Sequence, residues 1–449
     1  MSELFDFLKY CLGAKSDVNK VIAGIDWQML YSFAFKQALL GLCFDGIERL
    51  GKEYPEELKL NPIGRELLMT WMGKAQQIRR QNVKVNGVAA KLYSKFREDG
   101  LRCCILKGQG NALMYPNPYS RTSGDIDVWI DASRERIMEY AQKKFELEDD
   151  MRYHHLEMSL DGVPVELHFF PCTMNNPIYN ARLQKWFKRN ADLQCSNVVS
   201  LPDGIGEIAI PTTAFNVIYQ LTHLYHHFFD EGIGMRQIID YYYVVCDFYK
   251  VDQKSSNPSV SLSKGSSTFS PSPSSSGSGD VTAPSRCSEP LRSKDGGPSK
   301  VSPDCAGWDR RGVSGDIASD ASVSSAFTTD SSASTALDVV QRELKYLGLW
   351  KFAGAVMFVL HEALGLSEEK MIAPMDEKRG RLLLAEILNG GNFGKHFTKY
   401  GHFTQQGMAK KYFLKIWRNM HFVRYYPAEA LSEPIFRTWH FFWRMKNKK

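Results

Sequence analysis

The sequence predicts an α+β fold, a small mixed sheet of about residues 100–210 set inside a largely helical body. Three observations predict it. First, Cys103–Leu106 is a short apolar run ending at Lys107-Gly108, and Asp125-Ile126-Asp127-Val128-Trp129-Ile130 is a second run in which acids alternate with apolar residues. Second, Asp161-Gly162 joins two further strand-like runs in the manner of a two-residue hairpin. Third, apolar residues recur at helical spacing on both sides of this region.

Taken in order, residues 1–99 read as helical. Leu30, Phe33, Ala34, Leu39, Leu42 and Ile47 predict one helix over Trp27–Leu50, with Gly51 and Pro55 punctuating its end. A longer helix is expected from about Ile63 to Phe96, with Val85, Val88, Leu92 and Phe96 on one face, as a plain helical cap on the sheet. Asp99-Gly100 then turns the chain into the first strand, and a short helical segment covers Asn111–Tyr115. After a Pro-broken loop and the acidic strand come a helix over Ser133–Phe145 and strands over Arg152–Leu160 and Val163–Phe170. Together residues 100–210 form the expected catalytic core.

Residues 211–252 read as the first part of a helical subdomain. Thr212–Phe229 is amphipathic, and Gly232-Ile233-Gly234-Met235-Arg236-Gln237 opens a helix running through Cys246. Composition then changes: residues 253–335 contain 26 Ser, with eight basic and eight acidic residues. Such a stretch has too little apolar surface to offset its ordering entropy, so 253–336 is expected to be a disordered insert. Periodicity resumes over 337–449, with helices expected at Trp350–Leu360, Glu377–Leu388, Lys410–Phe422 and Pro434–Met445.

Successive side chains on a strand point to opposite faces. Asp125 and Asp127 therefore share one face of their strand, and Ile126, Val128 and Ile130 the other. Two carboxylates side by side repel unless a cation sits between them, which outlines a divalent-metal site. Chance alone gives roughly five or six acid-x-acid pairs among 50 acids in 449 residues, so context carries the signal. That context is the apolar alternation, the Ser123-Gly124 turn before the pair and the Lys-Gly ending the previous strand. On the last strand Glu166 and His168 share a face, opposite Val165, Leu167 and Phe169. Glu166 is either a third metal-binding carboxylate or a cross-strand partner for a Lys or Arg. His168 either touches phosphate or caps its strand. Arg236, at a helix start after two glycines, suits a phosphate contact or a pair with Asp240. His223, His226 and His227 suggest zinc, but no Cys or matching His cluster completes the set nearby in sequence.

The nine cysteines show no C-x-x-C spacing, which favours reduced thiols in a cytoplasmic protein over disulfides or a zinc site. No signal-peptide pattern opens the chain, and the longest apolar stretch, Phe352–Leu360, is too short for a transmembrane segment. Charge is unevenly placed. Residues 395–449 carry a net +10, against −4 for the rest of the chain. That aromatic-rich basic region is either an ordinary helical bundle or a contact for nucleic acid or an anionic surface.

The residues Leu106-Lys107-Gly108, Tyr115-Pro116, Arg121 and Gly124-Asp125-Ile126-Asp127 resemble the uncharacterised nucleotidyltransferase family of the polymerase-beta-like superfamily. The likeness extends to Val165–His168 and to Gly232–Asp240. The superfamily's common Gly-Ser pair lies closer to the first Asp than Gly108 does here, where Gln109 follows. The resemblance implies a polymerase-beta-like mixed sheet and transfer of an NMP group from an NTP, expected to be ATP, to an acceptor hydroxyl with release of pyrophosphate. It implies that Asp125, Asp127 and Glu166 are catalytic and bind two Mg²⁺ ions, with Mn²⁺ as an alternative. Lys107, Gly108, Arg121, Ser123, Gly124, His168 and Arg236 are the expected nucleotide-binding residues. The acceptor is open among a protein, a sugar, RNA and a small molecule. A metal-dependent phosphodiesterase or nuclease, and a non-catalytic nucleotide- or nucleic-acid-binding protein of the same fold, are the alternatives. Asp127→Asn is expected to keep the fold, and relief of repulsion predicts a higher melting temperature without metal.

Overall fold

Six helices lead into the sheet in the computed structural model, which describes residues 2–14, 17–148, 152–256, 335–397 and 408–447. They are α1 (Ser2–Cys11), α2 (Val18–Gly24), α3 (Trp27–Lys36), α4 (Leu40–Glu53), α5 (Pro55–Leu60) and α6 (Arg65–Glu98). Asp17 and Asp26 cap α2 and α3, their carboxylates accepting from the N–H groups of Lys20 and Met29. The single helix expected over Trp27–Leu50 is two. Ala38 takes a φ of 57° between them. There Thr122 Oγ1 donates to the Ala38 carbonyl, and the Gln37 side chain is bonded to Ile387 O and Met235 N–H. Residues far away in sequence make this break, not a local Gly or Pro.

The sheet follows as β1 (Cys103–Leu106), α7 (Gly108–Ala112), β2 (Ile126–Ile130), α8 (Arg134–Lys144), β3 (His155–Leu160) and β4 (Val163–His168). Its strand order is β1-β2-β4-β3. β1 lies antiparallel to β2, β2 parallel to β4, and β4 antiparallel to β3, so the sheet is mixed as expected. The long helix α9 (Pro177–Ser196) and the two-stranded ribbon of β5 (Val198–Ser200) and β6 (Glu207–Ala209) come next. They fall where the periodicity gave no element.

The remaining helices are α10 (Thr213–Asp230), α11 (Met235–Ser256), α12 (Ala336–Tyr346), α13 (Trp350–Leu364), α14 (Glu377–Gly390), α15 (Met408–Met420) and α16 (Pro427–Asn447). The last starts earlier than the expected Pro434, which lies inside it. Most of the expected disordered insert, residues 257–334, lies outside the described residues, while 253–256 close α11 and Ala336 opens α12. Thr335 and Asp338 form a capping box at that start. The helices before and after residues 257–334 belong to one compact unit.

The sheet separates two cores. Ile126, Val128 and Ile130 of β2 join Val165 and Leu167 of β4, Leu92 and Phe96 of α6 and Ile137 of α8 on one side. Cys104, Leu106 and Trp129 join the larger cluster of the helical body, which includes Phe215 and Leu221 of α10. The alternation in the acidic strand thus sets its aliphatic residues into the first core and turns Asp127 toward the helical body. Among the described residues every cysteine is free and buried. Among them also, no helix is long and apolar enough to cross a membrane.

Candidate functional site

Strand register builds the site. Leu106 pairs with Asp127, Asp127 with Glu166, and Glu166 with Glu157, so one rung of the sheet carries three carboxylates across β2, β4 and β3. Two residues on, the next rung of the same face pairs Trp129 with His168 and His168 with His155. His168 Nε2 reaches both Asp127 Oδ1 at 3.0 Å and Glu166 Oε2 at 3.1 Å. Asp127, Glu166 and His168 each offer a ligand atom within 4.8 Å of the others. Asp125 precedes β2 and is exposed, whereas Asp127 is buried.

Lys107 completes this group from the end of β1. Its backbone takes φ 52° and ψ −125°, which for a non-glycine residue costs of order 1–3 kcal/mol. The Lys107 carbonyl accepts from Asn111 N–H and ties the turn to α7. Its Nζ lies 2.9 Å from Asp127 Oδ1 and 2.8 Å from His223 Nε2 of α10. His223 in turn meets His227, and His227 meets Glu231.

Charge is distributed unequally over these carboxyls. Burial opposes ionisation of Asp127, but Lys107 and His168 outweigh it and hold the carboxyl well below the usual carboxylate range. At Asp125 the balance reverses. The Asp127 charge, then desolvation by the surrounding protein and the Glu166 charge, outweigh the pull of Lys107 and Arg236 and push it up to about 6. Burial alone would depress His168, but its hydrogen bonds to Asp127 and Glu166 raise it to about 9, so it is an imidazolium. His223 is held neutral by burial and by Lys107 beside it. The protein's own cations therefore balance Asp127 and Glu166 and leave Asp125 short of positive charge.

The expected phosphate contacts divide. Arg121 is buried and spends Nε and one terminal nitrogen on the two Asp240 oxygens, at 2.8 and 2.7 Å. Tyr115 donates to the same carboxylate at 2.7 Å. Arg121 is thus placed in a structural ion pair and not among the acids. That pair is also the partner proposed for Arg236, whose NH1 instead donates to the Thr122 carbonyl at 3.1 Å. Arg236 Nε is buried without a hydrogen-bond partner, and its charge acts on Asp125. Ser123 and Gly124 lie in the accessible loop leading to Asp125, and Gly108, at φ 29°, starts α7.

His155 and Glu157 were not singled out in the sequence. The signal was there: counting back from the Asp161-Gly162 turn sets Glu157 opposite Glu166 and His155 opposite His168. The His223 to His227 stretch gains its neighbours only through tertiary packing, with the His226 ring edge-on to that of His154, their centroids 6.1 Å apart. A separate cavity of about 430 Å³, lined by Gly110, Met114, Asn216, Tyr243, Asp247 and Lys250 among others, includes none of these acids or histidines. At least three of the twelve basic residues of the C-terminal region pair internally. Lys415 and Arg437 pair with Asp230 at 2.9 and 2.8 Å, and Arg418 faces Glu386 at 3.4 Å.

The profile of a family described as uncharacterised nucleotidyltransferase matches residues 23–255. That span holds the sheet, α10 and α11. No curated protein matches the chain at a significant level. Among solved structures, that of an antigenic nucleotidyltransferase-like protein from Paracoccidioides brasiliensis is similar over 39% of this chain and 89% of its own. It is 14% identical, with a TM-score of 0.25, and no geometry is drawn from it.

Proposed function

The chain belongs to the uncharacterised nucleotidyltransferase family, and from that premise we propose that it transfers an NMP group from an NTP, ATP foremost, to an acceptor hydroxyl. The observation that supports this reading most is the carboxylate pair of Asp127 and Glu166 on adjacent strands, with Asp125 at the open end beside them. The donor set fits a hard divalent cation. Asp127 and Glu166 offer oxygens within 4.8 Å of each other, and Asp125, two residues before Asp127, is raised by like charges that an added cation would relieve. Asp125, Asp127 and Glu166 would hold Mg²⁺, which when bound supplies charge stabilisation to the attacking and leaving oxygens.

The chain's own residues do the rest. Arg236, with an unpartnered Nε near Asp125, suits a triphosphate oxygen entering from the open side. Lys107, fixed between Asp127 and His223, holds Asp127 ionised and oriented. Ser123 and the Gly124 backbone, accessible in the loop before β2, suit phosphate contacts. The acceptor oxygen attacks the α-phosphorus, the bond to the pyrophosphate oxygen breaks, and the hydroxyl proton leaves to solvent. Incubating the full chain with each of the four NTPs and Mg²⁺ tests this. Pyrophosphate release that disappears in Asp125→Asn supports the reading, and release equal in that variant overturns it.

One observation favours a second reading. Lys107 and His168 already neutralise Asp127 internally, as suits a non-catalytic nucleotide-binding protein. Nucleotide binding that is tight with or without a divalent ion, and no turnover, would select it.

A further inference from the structure

We propose that His155, Glu157 and Glu166 form a further metal site on the β3–β4 side of the sheet, and that it takes a zinc-class transition ion. One ligand atom from each residue lies within 4.8 Å of the other two. The three sit on adjacent strands in fixed register: Glu157 directly opposite Glu166, and His155 opposite His168 one rung on. A rigid sheet therefore presents them, not a mobile loop.

A second, independent observation points to a ligand. His155 is 6% exposed, and its Nδ1 is buried without a hydrogen-bond partner. That nitrogen lies 3.2 Å from Glu166 Oε2, close enough for a pair yet outside hydrogen-bond geometry. With Nε2 facing Glu157 Oε1 at 3.3 Å, each ring nitrogen of His155 meets a carboxylate oxygen, and a cation on Nδ1 would bridge it to Glu166. Atoms bound to one tetrahedral zinc are spaced about 3.4 Å apart, which the 3.2 Å between His155 Nδ1 and Glu166 Oε2 already matches, so the adjustment falls on Glu157. His154 adjoins the site: it groups with His155 and His168 within the same 4.8 Å limit, and its ring is 4.3 Å from that of His155. Arg152 Nε approaches Glu157 Oε1 at 3.3 Å and would share or yield that oxygen.

The donor set also indicates which ion. Mg²⁺ selects oxygen ligands and keeps its waters, whereas imidazole with carboxylate suits zinc and its neighbours in the first transition row. The Asp125–Asp127 end is rich in oxygen, and the His155–Glu157 end supplies nitrogen. Glu166 lies between the two and is shared. The inference does not rest on nucleotide transfer, because an ion can bind here whether or not the chain turns over NTP.

Co²⁺ serves as the probe, added to chelator-stripped full-length protein with no nucleotide present. The expected result is visible absorption from one nitrogen-ligated Co²⁺ per chain, displaced by Zn²⁺ but not by millimolar Mg²⁺. His155→Phe and Glu157→Gln should each weaken Zn²⁺ binding by at least about tenfold, the loss that even an outer partner of a ligand can cause. Asp125→Asn should retain the spectrum. Where His155→Phe fails to fold, the half-buried Glu157→Gln carries the test. Absent absorption, a spectrum unchanged in a folded His155→Phe or Glu157→Gln, or a spectrum lost in Asp125→Asn would overturn the proposal. A protein that binds Co²⁺ as expected but transfers no nucleotide would overturn only the proposed function.

Discussion

Asp125 and Asp127 are two residues apart and sit in opposite fields. Asp127 is buried against Lys107 and His168, while Asp125 is exposed and faces the Asp127 and Glu166 charges. Asp127→Asn therefore leaves buried Lys107 without its carboxylate partner and His168 with Glu166 alone, a loss that typically costs 3–5 kcal/mol. The variant should melt lower, against the sequence expectation of relieved repulsion, and thermal denaturation checks it. Asp125→Asn removes net repulsion, since the Asp127 and Glu166 charges outweigh the pull of Lys107 and Arg236, and its melting temperature should equal or exceed that of wild type. The alternation of acids and aliphatics was legible at this scale. The internal cations were not, because Lys107 reaches Asp127 only through a backbone turn at positive φ. Glu429 gives a pH prediction. Burial pushes its carboxyl up to about 7, even though the N–H groups of Asn175 and Asn176 donate to it. The folded state then holds this proton to higher pH than the unfolded one does. Its contribution is whole below about pH 4.5 and is lost as pH rises through 7, amounting to about 3 kcal/mol in all. Denaturant melts of wild type and Glu429→Gln across this window should differ in slope, with the variant flatter.

The loop that delivers Asp125 is held by helices, and its hold is testable. Asn82 of α6 donates to the carbonyls of Tyr119 and Arg121, at 2.8 and 2.7 Å. Ser120 donates to Asp45 of α4, which Arg79 of α6 also binds. Gly41 of α4 packs so closely that a Cβ there would lie 2.2 Å from the Ser120 carbonyl oxygen. Asn82→Ala leaves two carbonyls buried and unpaired, which should cost about 2 kcal/mol. The loop before β2 should then exchange its amide hydrogens faster, and NTP turnover should fall with it. Unchanged exchange at residues 119–125 would mean that Asn82 does not hold the loop. Elements with a local cause were readable: the Asp161-Gly162 hairpin and the helix from Ser133, which caps α8. The α3–α4 break was not, since Ala38 is bent by bonds from Thr122 and through Gln37. Nor was the start of α16, where the helix passes through Pro434.

At the scale of the molecule, the helical body and the sheet share one unit whose sequence is interrupted by the Ser-rich stretch. Loop closure changes by only about 0.6 kcal/mol per doubling of length. Replacing residues 257–334 by a Gly/Ser linker of about twenty residues should therefore raise stability by about 1 kcal/mol and leave NTP turnover unchanged. A protein that fails to fold after this replacement would place the stretch in the core. The mixed sheet and its helical surroundings were legible as a class, because strand and helix periods differ. The tertiary convergence of histidines on the acids was not, since α10 contributes His223 from across the body. The central claim is that the acids at the end of β2 and on β4 serve nucleotidyl transfer. Its most direct measurement follows ATP labelled at either the α- or the γ-phosphorus, incubated with the full chain, Mg²⁺ and fractionated cell extract as the source of acceptor. The account predicts that α-label becomes attached to an acceptor and γ-label leaves as pyrophosphate, both lost with chelator and in Asp125→Asn. Attachment of γ-label, or α-label transfer that persists in Asp125→Asn, would contradict it.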